Sequence, residues 1–160
     1  MSYRILTLQQ VARRSEVPEE NLHWALSQDL VPQFSWTPKS NAWLEPPVVD
    51  EVTAVLLVVA VRLAGLGMEA KQIKPLLAGV CRAGGGHGGR ATVPLVSEVA
   101  AGRWVVVQWA PQGHLLLRVS GRTYGWYRLC RDGVEPDPYF HPEVVLAADL
   151  GAIHEMLFED

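Results

Sequence analysis

The chain has 160 residues, of which 49% are hydrophobic and 19% charged, a composition typical of globular proteins. Fourteen Lys and Arg against seventeen Asp and Glu give a formal net charge of -3, which excludes a chain-wide basic field of the kind that draws proteins onto nucleic acid or anionic lipid. Cys81 and Cys130 lack a CxxC spacing, the N-terminus MSYRILTLQQ lacks a secretory pattern, and the longest apolar run, Ala54 to Val61, is far short of the ~20 residues of a bilayer span, so a reducing cytoplasm without membrane contact is expected.

In chain order, Thr7 followed three residues later by Gln10 is a capping-box pattern. With Leu8, Val11 and Ala12 on one face it predicts a short helix from about Leu8 to Arg14. Ser15-Glu16-Val17 makes a tight turn, and Pro18 suits the first position of a second helix that runs to about Gln28 with Leu22, Ala25 and Leu26 inward. Two short helices joined this closely form a helix-turn-helix. Gln33 to Leu44, with Phe34, Trp36 and Trp43 around a polar tip, reads as a two-stranded ribbon, a candidate wing. After Pro46-Pro47, a helix from about Val49 to Ala64 is apolar enough to form a buried centre, and Glu69 to Leu77 gives a fourth helix.

The glycine-rich stretch Ala83 to Arg90 then reads as a flexible connector. Beyond it, Thr92 to Ala101 predicts a short helix, and Arg103 to Trp109, His114 to Val119 and Thr123 to Cys130 predict an antiparallel meander. Arg131 to Gly133 starts a turn, Glu135 to Pro142 is irregular, Val144 to Ala147 is a fourth strand, and Asp149 caps a last helix whose Leu150, Ile153 and Leu157 pack back on the sheet. The expected fold class is α+β: a mainly helical winged helix-turn-helix plus a small antiparallel sheet with flanking helices. The expected partition is residues 1–82, a linker at 83–91, and an α+β domain at 92–160 for dimerisation, sensing or partner binding.

Over roughly residues 5–79 the order of parts resembles the winged helix-turn-helix domain of the MerR superfamily. The resemblance is carried by LTLQQVARRSEVPEENLHWALSQDLVP and by VVDEVTAVLLVVAVRLAGLGMEAKQIKPLLAG. Its most specific part is Asp50, the apolar helix, Leu66-Gly67-Met68, and Ile73 followed by Leu76-Leu77. What the resemblance implies is a homodimeric transcriptional regulator on double-stranded DNA, with the second helix in the major groove and the wing on adjacent backbone. The implied contacts are Asn21, His23, Trp24 and Ser27 on that helix, Lys39, Ser40 and Asn41 in the wing, and Arg13 and Arg14 on phosphates.

Several positions depart from the family pattern. His23 and Trp24 stand where the family carries an arginine and a tyrosine, Glu19-Glu20 opens the second helix, and Ala42-Trp43-Leu44 replaces a Gly-Tyr-Arg wing end. Residues 1–79 hold seven basic and eight acidic residues, a net of -1. The same winged unit serves as a protein-binding module in chaperone modulators of the CbpM type, and acidic helices fit that use. The resemblance therefore also implies a protein-interaction adaptor. The bland readings are that Arg13 and Arg14 complement the dipole of the first helix and that the tryptophans are packing residues.

No catalytic signature is present. GGGHGG lacks the Lys-Ser/Thr of a phosphate loop, no GxSxG or HExxH occurs, and Cys81, His87, Cys130 and His141 match no structural zinc spacing. The expectation is a binding protein rather than an enzyme, without metal or cofactor.

Overall fold

The computed structural model describes residues 4–31, 48–85, 103–108, 114–119, 122–130, 133–139 and 147–159. The chain divides into two compact units, Met1–Leu77 together with Ile153–Asp160, and Ala78–Ala152. The first unit is thus assembled from two stretches of sequence. This differs from the expected partition at 1–82, 83–91 and 92–160 in two places. The last helix joins the first unit from Ile153 onward, and the fourth helix continues through Gly85, into the stretch read as a linker.

In the first unit, β1 (Ile5–Thr7) leads directly into α1 (Leu8–Ser15). The capping box forms as expected: Gln10 N donates to Thr7 Oγ1 at 3.1 Å, and Thr7 N donates to Gln10 Oε1 at 2.8 Å. Glu16, in the left-handed region at φ 58°, ends the helix. Pro18 then sits just before α2 (Glu19–Ser27), accepting from Asn21 N, so it occupies the cap and not the first helical position. The end of α2 is a Schellman turn in which Asp29 takes φ 54°, with Leu30 N donating to Ala25 O and Asp29 N to Leu26 O. Burial of Ala25 and Leu30 accompanies it.

A strand absent from the sequence reading, β2 (Val48–Asp50), pairs antiparallel with β1, placing Ile5 opposite Asp50 and Thr7 opposite Val48. It delays the start of α3 (Glu51–Gly65) by two residues, because Asp50 Oδ1 accepts from Thr53 N at 2.8 Å and so fixes the N-cap. Every residue from Val52 to Val61 is buried. This helix is surrounded on all sides, as its unbroken apolar sequence requires. It closes in a second Schellman turn, with Met68 N on Leu63 O and Gly67 N on Ala64 O. Gly67 adopts φ 99°, a conformation that glycine reaches without strain. Next, α4 (Ala70–Gly85) buries Ile73, Leu76 and Leu77 and accommodates Pro75 in its interior.

The last helix, α5 (Leu150–Phe158), starts as expected, with Ala152 N on Asp149 Oδ1 at 3.0 Å. Expected to pack back on the sheet, the helix belongs instead to the first unit from Ile153 onward. Ile153, His154, Leu157 and Phe158 are buried, and their part of the helix is held to the first unit by Arg4 and by side chains of α1 and α3. Burial of three apolar side chains at about 1.5–3 kcal/mol each explains why this short helix lies there.

The second unit holds a five-stranded antiparallel sheet of β3 (Arg103–Gln108), β4 (His114–Val119), β5 (Arg122–Cys130), β6 (Gly133–Pro136) and β7 (Ala147–Asp149), in the order β6-β5-β4-β3-β7. The three expected meander strands form with nearly the expected bounds. A register shift between Leu117 and Arg118 interrupts the β4–β5 ladder. Two expectations change. Gly133–Pro136, read as turn and irregular chain, pairs with β5, with Glu135 opposite Arg128, and the strand read at Val144 to Ala147 is instead Ala147–Asp149. Pro136 ends the edge strand, where a missing N–H is tolerated. The wing at Gln33 to Leu44 and the helix at Thr92 to Ala101 lie outside the described residues. The architecture is α+β. Among the described residues, no helix is long and apolar enough to cross a membrane.

Leu157 is fully buried in the first unit. Leu157→Ala should therefore destabilise that unit by ~2–5 kcal/mol, read as a lower urea midpoint with loss of amide-exchange protection in α1 and α3. Loss confined to α5 would contradict a shared core.

Candidate interaction face of the second helix

Leu22 and Ala25 of α2 are buried, and Leu26 is half-buried. The remaining positions of the helix, Glu19, Glu20, Asn21, His23, Trp24 and Ser27, are all exposed. At 100° per residue these occupy one continuous arc, with Glu20 and Ser27 near its centre and His23 and Trp24 on either side. The four α2 positions expected to meet a target, Asn21, His23, Trp24 and Ser27, are thus outward and together. Lys39, Ser40 and Asn41 lie outside the described residues.

Glu20 is three and four residues from His23 and Trp24, so its carboxylate stands between them. His23 Nε2 lies 3.5 Å from Glu19 Oε1 across one turn. Ser27 Oγ donates to Trp24 O at 2.7 Å, which ties the hydroxyl to its own helix. Trp24 is 37% exposed, a large apolar surface left in water. Among the described residues, Glu20 has no ion-pair or hydrogen-bond partner.

The two arginines that end α1 differ. Arg13 is exposed and, among the described residues, has no hydrogen-bond or ion-pair partner. Arg14 Nη1 instead donates to Leu157 O at the end of α5. Arg4 behaves likewise, donating from Nη1 to Phe158 O at 3.0 Å, with its Nε 3.8 Å from Glu51 Oε1. Arg62 Nη2 donates to Ser15 O at 3.1 Å and lies 3.8 Å from Met156 Sδ. Three guanidinium groups therefore serve helix ends. The end of α5 offers carbonyls but has no cation in its own last turn, and guanidinium donors supply what it lacks. Sequence reading overlooked Arg4 and Arg62 in this role. The readable signal was a helix ending in Phe158 and Glu159, without a cap glycine or a terminal Lys or Arg.

Buried His154 finds Glu51 Oε2 at 3.1 Å, and its ring lies 5.0 Å from that of Phe158. This satisfies two polar groups at the start of α3 and belongs to the core rather than the exposed face.

Over both of its stretches the first unit carries seven Lys and Arg against eleven Asp and Glu, a net of -4. Lys74 lies 3.3 Å from Asp29 and Lys71 lies 2.9 Å from Glu69, which leaves Arg13 as the unengaged cation among the first unit's described side chains. No group of three or more His, Cys, Asp or Glu able to hold a metal occurs among the described residues. No family model, curated protein or solved structure matches the chain.

The two neighbouring arginines should respond differently to neutral replacement. Arg14→Met is expected to lower stability by about 1 kcal/mol or more, through loss of a charge-assisted bond to a helix end. Arg13→Met should stay within ~0.5 kcal/mol of the parent. Equal shifts in thermal midpoint would remove the distinction.

Proposed function

We propose that the first unit is a protein-interaction adaptor that presents the exposed arc of α2 to a partner protein, on a frame similar to the winged helix-turn-helix of chaperone modulators. The observation that carries this reading is the position of Glu20 at the centre of that arc, with Glu19 beside it and two arginines of the unit, Arg4 and Arg14, committed to α5. A polyanion seated on α2 would press its phosphates against two carboxylates, at roughly 1 kcal/mol or more of repulsion per close pair. Such carboxylates also stabilise α2 itself, since they lie in the first turn, at the positive end of the helix dipole. Trp24 supplies the apolar anchor that protein interfaces favour.

A second reading is a MerR-type transcriptional regulator binding double-stranded DNA as a homodimer. It is favoured by the outward placement of Asn21, His23, Trp24 and Ser27 on the second helix of a helix-turn-helix, together with exposed Arg13. In that reading Lys39, Ser40 and Asn41 of the wing grip the backbone, and the sheet unit serves dimerisation or sensing. Neither reading involves catalysis.

A salt series separates the two. Full-length protein titrated onto random duplexes between roughly 50 and 200 mM salt should show no duplex binding near physiological salt if it is an adaptor. A log-log slope near roughly -3, from about three neutralised phosphates, would establish the regulator instead.

A further inference from the structure

We infer that Glu20 and Trp24 form a seat for an arginine side chain of the partner, an inference that rests on the adaptor reading. The two residues are one turn apart on the exposed arc of α2, so a carboxylate and a partly exposed indole are neighbours on the helix surface. A guanidinium matches both at once. Its planar fork donates two parallel bonds to a carboxylate, and its flat, weakly hydrated face stacks on an aromatic ring. Tryptophan is the best of the aromatic side chains for that contact.

Each neighbour narrows the choice of occupant. Glu20 lacks a partner among the described residues, so its oxygens are available, whereas Glu19 is shared with His23 at 3.5 Å. Ser27, the next residue along the arc, directs its hydroxyl to Trp24 O and offers no competing donor to Glu20. The net charge of -4 over the unit attracts a basic segment and repels an acidic one. A purely apolar segment would desolvate both carboxylates without compensation. A lysine would satisfy Glu20 as a point charge but would forgo the stacked geometry on Trp24. The occupant that meets every condition is an arginine within a basic stretch of another protein.

The test uses full-length protein and a short fluorescent peptide alternating arginine and alanine. The peptide should bind, and Glu20→Gln and Trp24→Ala should each weaken it by roughly three- to tenfold. Glu69→Gln, a charge change away from α2, should leave its affinity unchanged. Replacing the arginines of the peptide with lysines should weaken binding to the parent but make little difference to Trp24→Ala. Trp24→Phe guards against a folding defect, since it keeps a ring and should lose less than Trp24→Ala at an unchanged thermal midpoint.

Equal losses for Glu20→Gln and Glu69→Gln would show general attraction to an acidic surface and overturn the seat, as would equal affinity for the arginine and lysine peptides. If an amphipathic leucine-rich peptide binds in a Trp24-dependent way while the arginine peptide does not, the seat is wrong and the adaptor reading stands. Duplex binding with the phosphate slope would remove the adaptor reading itself.

Discussion

The carbonyl end of α5 has to be satisfied, and much of the first unit is arranged around that requirement. A helix leaves its last four carbonyls without internal partners, and burial of Leu157 and Phe158 keeps water from serving all of them. Arg14 and Arg4 reach in from α1 and from the residue before β1. The same two arginines are thereby withdrawn from the outer charge pattern, and the exposed arc of α2 is left with carboxylates, an imidazole and an indole. A need internal to the fold thus sets the character of the surface.

A second constraint comes from α3, whose ten consecutive buried residues demand cover on every side. The helices α1 and α2 provide part of it, and α1 contributes Leu8 and Val11 fully buried. The β1–β2 pair fixes where the helix begins, through Asp50. Half-buried Glu51 and buried His154 meet in the same region, so the entry of α3 is specified by polar contacts and its middle by apolar area alone. This division gives the unit both a unique register and a large hydrophobic contribution.

Local signals were legible where the responsible atoms lie a few residues apart. The Thr7 and Gln10 capping box, the Asp149 cap and the Gly67 turn all involve partners within five residues, and each could be read from the chain, whereas Asp50, which periodicity places inside the helix, is its N-cap. Helical periodicity put Leu22, Ala25 and Leu26 inward, and it was the resemblance that singled out Asn21, His23, Trp24 and Ser27 on the other side. What could not be read depends on long-range partners. The β2 strand is specified by β1, more than forty residues earlier. The Gly133–Pro136 strand owes its existence to a ladder on β5 that overrides a turn-like composition. The resemblance makes Arg14 a candidate for phosphate, and its acceptor in this fold, 143 residues away, is beyond the reach of any local signal. Alternation correctly ordered β3, β4 and β5, whereas the destination of α5 was set by which apolar surface was open, a property of the assembled fold.

The sheet unit is spliced into the first unit between Leu77 and Ile153, and this has a consequence for biosynthesis. At ~5–20 residues per second, the ribosome takes several seconds to traverse Ala78–Ala152, and over that interval α1 and α3 have emerged without their final helix. Their greasy flank stays bare until Ile153 to Phe158 clears the exit tunnel. The sheet also waits for its own last strand, Ala147–Asp149, so both units reach their full set of elements only as the final residues are made.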